Sequence, residues 1–397
     1  ETLTYPIYPF WLDVWFVRVV CGMFADMHGM KPGQSSSLAN VIHAIRNGKK
    51  CLIFPEGRLT NTGNLMKIFE GTVILAEHAK ANIQPVIING GMNLSCSRQD
   101  QRHIKGFFAP VTVTFGSCLP LPKTELKGKA KRKFIKHALF NRLVDTTMHS
   151  YGNPSLIEAL RIATRRYGGS SLAISDNNFL NDLTYKGLMQ RAKLLAVRLK
   201  KSLKPGQVLG LTVNASADCA AVYFACFMLE IVVLPIDRHL SSKDFFQLCE
   251  KISLDALIVD TESWQEVSHH AHLEHCRAKH IPIIEWAKLT TRISLLEKAA
   301  VAVLPTRGSS NPPESIPAVL WFNHETGQST LLSQRNLCQQ AYQLQIVTDL
   351  QGSDVVFNAV GLQSCFGLLM GLLNPLMSGV TVVMMTRQFM PKFVIDS

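Results

Sequence analysis

The chain has 397 residues, of which 47% are hydrophobic and 18% are charged, and its formal net charge is +12. This composition excludes a disordered basic tail and is sufficient for two sizeable cores. Residues 1–150 contain 19 Lys and Arg against 9 Asp and Glu, whereas residues 151–397 contain 22 against 20. Ten cysteines without a C-x-x-C pair indicate a reducing compartment and offer no zinc framework. Because the chain begins at Glu1 rather than Met, we expect it to be truncated or processed.

The first half of the sequence alternates predicted helices with predicted strands. The aromatic segment Pro9–Ala25 is amphipathic and could either lie in a bilayer interface or pack inside the protein. Such alternation predicts an α/β domain, for which we set the bounds 1–150. Its helices are predicted at Ser37–Asn47, Gly71–Lys80 and Lys127–His149, and its strands at Lys50–Pro55, Gln84–Asn89 and Val111–Phe115.

The second half, residues 151–397, reads as another α/β domain that follows a linker at Tyr151–Pro154. A turn-rich stretch at Pro305–Pro317 predicts an exposed loop. Helices are predicted at Leu156–Tyr167, Tyr185–Lys201 and Ala215–Leu229, with strands at Val208–Val213, Val232–Ile236 and Ala256–Val259.

One long apolar stretch leaves two interpretations open. Val355–Thr386 contains no charged residue and no histidine over 32 positions, which exceeds the ~20 apolar residues needed to span a bilayer. Polar residues and Pro375 interrupt it, and its last part resembles a buried parallel strand. We therefore expect a helix followed by a strand in the core, with a membrane span as the alternative.

The most informative segment is FPEGR at residues 54–58, placed directly after a predicted strand. Phe54, Glu56, Gly57 and Arg58 would then lie at the carboxyl edge of a sheet, where α/β proteins bind ligands. A fixed guanidinium suits a phosphate group, because Arg forms paired charge-assisted hydrogen bonds. On these grounds alone, a surface turn with an Arg–Glu pair remains the alternative.

FPEGR, followed by T-x-T-G-x-L and by a strand around Gln84–Ile88, resembles the glycerophosphate and lysophospholipid acyltransferase family. The form without a Thr before Arg58 is similar to the acyltransferase half of the bifunctional 2-acylglycerophosphoethanolamine acyltransferases/acyl–acyl carrier protein synthetases. The resemblance implies that residues 54–58 hold the substrate phosphate.

The same family implies a catalytic N-H-x-x-x-x-D motif, in which His acts as the general base and Asp orients it. Only His239 has an Asp five positions later, Asp244, and this pair lies far downstream of FPEGR, so we interpret it as a coincidence. We expect the catalytic pair upstream of Glu1. The parent protein would then be an enzyme and this fragment inactive.

Residues 153–397 resemble the first part of an acyl-adenylate-forming, AMP-binding ligase domain. Leu331–Leu337 resembles the segment that follows the family's phosphate loop. The loop itself departs from the pattern, since it lacks the lysine and contains Glu325. Downstream, Ser364 replaces a family histidine before Phe366 and Gly367. We expect a degenerate nucleotide loop, formed by Asn323, Thr326, Gly327 and Ser329.

Two clusters carry further chemistry. Histidines between His269 and His280 could bind a metal, but a solvated helix is the expected structure and we predict no metal site.

The basic run Lys123–Arg142 contains eight Lys and Arg against one Glu. It could be a plain solvated face, or it could contact anionic lipid or an acidic carrier protein. No nucleic-acid-binding motif accompanies it.

Taken together, the resemblance implies transfer of a fatty acyl group from an acyl carrier protein thioester to the free hydroxyl of a lysophospholipid such as 2-acylglycerophosphoethanolamine, in phospholipid remodelling. Expected partners are the lysophospholipid, the acyl carrier protein and the membrane surface at the cytoplasmic face of a bacterial inner membrane. The transfer needs no cofactor, and ATP with Mg²⁺ is expected only if the ligase domain is active. The alternatives are an ATP-dependent acyl–acyl carrier protein or acyl-CoA ligase, and a non-catalytic module that docks carrier or lipid.

Overall fold

The computed structural model describes residues 3–7, 25–29, 35–57, 60, 65–91, 94, 110–150, 154–176, 182–260, 267–291, 316–348, 350 and 352–385. The contacts divide these residues into two compact units, one from residues 3–94 and 110–150 and the other from residues 154–385. Both mix helices with sheets in which parallel pairing prevails, so the α/β class is confirmed.

In the part of the chain that the structure describes, unit 1 combines three helices with five strands. Its elements in chain order are β1 (Leu3–Ile7), β2 (Ala25–Gly29), α1 (Ser35–Arg46), β3 (Lys50–Cys51), α2 (Glu70–Ala79), β4 (Val86–Asn89), β5 (Thr112–Phe115) and α3 (Gly128–Ser150). In the described residues, the strands form a parallel three-stranded sheet in the order β2-β1-β3 and an antiparallel pair, β4-β5.

The core of unit 1 forms where α2 packs against α3. Ile135, Leu139 and Leu143 recur every four residues on α3 and therefore line one face of the helix, where they meet Val73 of α2 and Ile68. This spacing lets a strongly basic helix pack against the core, because its apolar residues share one face and its lysines lie on the others.

Two ion pairs also join α2 to α3. Lys131 Nζ lies 2.6 Å from Glu77 Oε1, and Arg132 Nε lies 3.6 Å from Glu70 Oε2. All four side chains are about one-third exposed or more, so each pair contributes about 1 kcal/mol at most.

Most of unit 2 is built around one large sheet. Its first elements are α4 (Leu156–Tyr167), β6 (Leu172–Asp176), β7 (Leu183–Thr184), α5 (Tyr185–Leu199), β8 (Val208–Leu211), α6 (Ala217–Leu229), β9 (Val232–Pro235), α7 (Ser242–Lys251), β10 (Ala256–Val259), α8 (Val267–Ala278), β11 (Ile283–Glu285), α9 (Trp286–Thr290), β12 (Pro317–Asn323), β13 (Gln328–Ser333) and α10 (Gln334–Thr348). Six of the strands form a sheet in the order β11-β10-β8-β9-β12-β13, parallel except for β13.

The last elements of unit 2 complete a second sheet. They are β14 (Val355–Asn358), α11 (Cys365–Leu368), a π-helical turn (Leu369–Leu373), α12 (Asn374–Ser378) and β15 (Thr381–Met384). The four-stranded sheet has the order β14-β15-β6-β7, and its strand β15 pairs in parallel with both β14 and β6.

Several predicted elements are confirmed and others need correction. The helix Leu156–Tyr167 and the strand Ala256–Val259 have the predicted ends. The strand predicted at Lys50–Pro55 is shorter in the structure, where β3 ends at Cys51. Beyond it, the Pro55 carbonyl accepts a hydrogen bond from the Phe69 N–H. Residues 9–24, the linker residues 151–153 and most of the predicted 305–317 loop lie outside the described residues.

The apolar stretch 355–386 folds as strand, short helical segments and strand, with Thr386 outside the described residues. Its helical segments follow one another without a break from Cys365 to Ser378, with the π-helical turn in the middle. Within the described part of the chain, no helix has the length and apolar character that a membrane crossing requires. The expected helix-plus-strand arrangement is confirmed for this stretch.

Candidate functional site

A tight turn at residues 54–57 forms the first candidate site. The Gly57 N–H donates to the Phe54 carbonyl at 3.2 Å, and Gly57 has φ +60°. A side chain at this position would be strained by that backbone angle, and its Cβ would lie 3.2 Å from the Phe69 ring. Phe54 is exposed. The turn therefore requires glycine and leaves its backbone open to close approach.

Two hydrogen bonds tie this turn to the chain segment that precedes α2. The Met66 N–H donates to Glu56 Oε2 at 2.9 Å, and the Phe69 N–H donates to the Pro55 carbonyl at 2.9 Å. Glu56 thus helps to hold the turn in shape. Arg58, the predicted phosphate ligand, lies outside the described residues.

The second candidate site, the predicted nucleotide loop, is the turn of a β-hairpin. Asn323, the last residue of β12, pairs with Gln328, the first residue of β13. Asn323 Oδ1 accepts hydrogen bonds from the N–H groups of Glu325 (2.9 Å) and Thr326 (3.1 Å). The Asn323 carbonyl accepts from the Gly327 N–H at 2.7 Å, and Gly327 has φ +65°.

The hairpin turn consequently does not fit a triphosphate. A phosphate loop works by aiming free backbone N–H groups at the anion. Here the N–H groups of residues 325–327 all donate to Asn323, and that of Gln328 donates to Thr326 Oγ1 at 3.4 Å. Ser329 is not in the turn at all but in β13, where it pairs with Phe322.

A lysine from a distant element reaches the same turn. Lys251, at the end of α7, donates from Nζ to the Gly327 carbonyl at 3.1 Å, and its ammonium lies 5.9 Å from the Phe322 ring centroid. The ammonium therefore ties α7 to the hairpin. Lys251 and Gly327 are 76 positions apart, so no local sequence signal could have revealed this contact.

Gln334 is a second residue that sequence reasoning missed. Its Oε1 accepts from the Leu156 N–H at 3.2 Å, and its Nε2 donates to the Phe227 carbonyl at 2.9 Å. The side chain is 1% exposed. One buried amide thereby satisfies the first N–H of α4 and a late carbonyl of α6, both of which lack partners within their own helices.

The segment around Ser364 has a structural role. Ser364 Oγ accepts from the Gly367 N–H at 2.9 Å and so caps α11. Asn358, only 3% exposed, donates to the Gly367 carbonyl at 3.1 Å and accepts from the Val360 N–H at 3.2 Å. Serine at the position of the family histidine is thus a helix cap.

The remaining polar constellations have structural explanations. Asp244 accepts from the hydroxyl of Ser241 at 2.6 Å at the start of α7, and in the described residues no hydrogen bond joins it to His239. The rings of His272 and His275 stack on two phenylalanines of α7 at centroid distances of 4.3 and 4.4 Å. Among the side chains that are described, no group of three or more potential ligands could hold a metal ion.

Comparison with known proteins identifies two segments. Residues 161–396 match the family described as AMP-binding enzyme, which is more than half of the chain, and residues 9–89 match the family described as Acyltransferase. The two-part resemblance predicted from the motifs is therefore confirmed.

Several solved structures are similar to the longer segment. A benzoate CoA ligase from Burkholderia xenovorans LB400 superimposes with a TM-score of 0.51 and 18% identity, over 61% of this chain and 47% of that chain. Apo MatB from Rhodopseudomonas palustris gives a TM-score of 0.48 at 18% identity, over 61% and 47%. VinN in complex with L-aspartate gives 0.49 at 15% identity, over 58% and 62%. The chain thus spans about half to three fifths of the length of these proteins.

Proposed function

This chain belongs to the AMP-binding enzyme family and carries an acyltransferase segment ahead of the AMP-binding part, and on this premise we propose that its parent protein transfers a fatty acyl group to a lysophospholipid. The acyl donor is a carrier-protein thioester, and the acceptor is the free hydroxyl of a substrate such as 2-acylglycerophosphoethanolamine. The two segments support acyl transfer and ATP-dependent ligation as general reaction types, and the lysophospholipid is the acceptor that we propose.

The turn at residues 54–57 is the observation that carries this proposal. Its glycine allows close approach, and its position directly precedes Arg58. Glu56 accepts from the Met66 N–H, which fixes the turn. In this proposal, Arg58 supplies the guanidinium that binds the substrate phosphate. The substrate hydroxyl would then be activated by the His–Asp pair that the family motif implies.

The test is Arg58→Ala in the full-length parent, with lysophospholipid as the varied substrate. Loss of one or two charge-assisted hydrogen bonds should raise KM about ten- to hundredfold. Arg58→Lys keeps the charge without the paired donors and should give an intermediate KM. Lys67→Ala, which removes one exposed positive charge nearby, is the matched control. An unchanged KM in Arg58→Ala would remove the basis of the assignment.

ATP-dependent ligation is the second candidate, favoured by the AMP-binding match. The family uses ATP, typically with Mg²⁺, but the hairpin turn at residues 324–327 does not fit its phosphates, so we derive no step through them. Measurable acyl-adenylate formation from fatty acid and ATP would favour the ligase. Absence of calorimetric ATP binding together with retained carrier binding would favour the non-catalytic docking module.

The exposed face of α3 supports the proposed partners, an acidic carrier protein and an anionic membrane surface. Lys127, Lys129 and Lys133 are exposed, and Leu126 and Phe134 expose apolar side chains beside them. Lys129→Glu/Lys133→Glu should weaken binding to the carrier protein and to phosphatidylglycerol-containing vesicles, but not to phosphatidylcholine vesicles. Equal binding by this variant and the unmodified chain would argue against both partners.

A further inference from the structure

A cleft in unit 1 lies between the end of α2, the segment before α3 and the first turns of α3. Its volume is about 370 Å³, within the range of small-molecule sites. None of its lining residues belongs to the 54–57 turn.

The polar rim of the cleft is strongly basic. Lys80, Lys123 and Lys131 contribute three ammonium groups against the single carboxylate of Glu77. Glu77 is paired with Lys131, whereas within the described part of the chain Lys80 and Lys123 have no side-chain partner. Two uncompensated positive charges at the rim of a concavity attract an anion, and lysine ammonium groups commonly bind phosphate as point charges.

Lys80 occupies a backbone conformation that lysine rarely adopts. It ends α2 with φ +54° and ψ +37°, in the left-handed region where glycine is the usual residue. Glu230 and His280 hold the same left-handed conformation at or just after a helix end, so the conformation does not by itself mark a functional residue. What connects Lys80 to the cleft is that it is one of the lining residues.

Apolar groups form the floor. Ile135 is 1% exposed and belongs to the unit 1 core, and Leu121 packs against the same cluster. A ligand that fills this floor gains stability from apolar contact while its anionic end meets the lysines. We propose that the cleft is a binding site for an amphiphile that carries a phosphate group, such as a lipid with a phosphate monoester. The inference does not rest on the proposed acyl transfer.

Calorimetry on the full 397-residue chain tests this site with three probes: octyl phosphate, inorganic phosphate and octyl glucoside. The variant Lys80→Gly/Lys123→Ala removes the two unpaired charges. The matched control Lys49→Ala/Lys67→Ala removes two positive charges at exposed positions of unit 1 outside the cleft. A thermal melt accompanies each binding measurement, because Lys80→Gly relieves the left-handed strain and should not lower the melting temperature.

We expect octyl phosphate to bind the unmodified chain more tightly than either other probe. The cleft variant should weaken its binding about tenfold for each lysine lost, while the control changes it little. If the control variant weakened octyl phosphate binding as much as the cleft variant, the loss of affinity would reflect general electrostatic attraction, and the proposed site would be wrong. If inorganic phosphate bound as tightly as octyl phosphate, the cleft would be a site for soluble phosphate, and the proposed amphiphilic ligand would be wrong. If octyl glucoside bound as tightly as octyl phosphate, the proposed anion site would be wrong.

Discussion

The double role of Gln334 makes a strong prediction about unit 2. Methionine at this position has similar length and shape but neither donates nor accepts well, so Gln334→Met leaves the Leu156 N–H and the Phe227 carbonyl without their partner. An unsatisfied buried backbone group costs about 1–3 kcal/mol. Two such groups, less a small gain from burying an apolar side chain, should lower the free energy of unfolding of unit 2 by about 3 kcal/mol.

Urea unfolding with hydrogen-exchange mass spectrometry measures this loss within unit 2. For a slope of about 2 kcal/mol/M, the midpoint should fall by about 1.5 M, and exchange should accelerate in α4 and α6. Gln340→Met, an exposed position on the same helix α10, is the control and should move the midpoint little. A shift for Gln334→Met no larger than for Gln340→Met would refute the two-helix role of this amide.

Three further outcomes follow from buried groups. Tyr185→Phe removes a buried hydroxyl that donates to a backbone carbonyl at 2.7 Å, and should lower the free energy of unfolding by about 1 kcal/mol. Gly371→Ala places a Cβ against the buried side chain of Asn358, and it should lower the free energy of unfolding by about 1–3 kcal/mol in the same urea experiment. Burial raises the pKa of the Cys338 thiol to about 12, so a thiol reagent at pH 8 should modify exposed Cys118 but reach Cys338 only on unfolding. Because that pKa is raised in the folded state, the thiol's contribution to stability is present below about pH 8.5 and is lost as pH rises towards 12.

Elements with local signals were predictable from the sequence. The helix Leu156–Tyr167 has a serine directly before it, whose hydroxyl accepts from the Glu158 N–H at 3.3 Å, and an apolar face with helical spacing. The strand Ala256–Val259 is an apolar run buried on both sides of a parallel sheet. In both cases propensity, pattern and tertiary burial favour the same structure.

Features that depend on distant partners were not predictable. Lys251 reaches a carbonyl 76 positions away, and Gln334 bonds to groups 107 and 178 positions away. The strand expected at Lys50–Pro55 stops early, at Cys51, and the motif gave no sign that the Pro55 carbonyl would accept from the Phe69 N–H. For the candidate site, the motif indicated the turn and its glycine, whereas nothing in the motif indicated that Glu56 would bond to the Met66 N–H.

The hairpin turn at residues 324–327 was predictable in its chemistry but not in its geometry. A missing lysine and an added glutamate indicated a degenerate loop. The structure adds that a single side-chain oxygen, Asn323 Oδ1, accepts from two successive backbone N–H groups. Asparagine commonly makes such local bonds in turns, but its choice of partners depends on the turn that actually forms.

The position of β15 in its sheet has a consequence for synthesis on the ribosome. Strand β6 is made about two hundred residues before Thr381, yet β15 is its parallel neighbour and also the neighbour of β14. Until residue 384 has emerged, both earlier strands keep an unpaired edge, and such edges invite association with other chains. Vectorial folding of this sheet therefore has to wait for its middle strand.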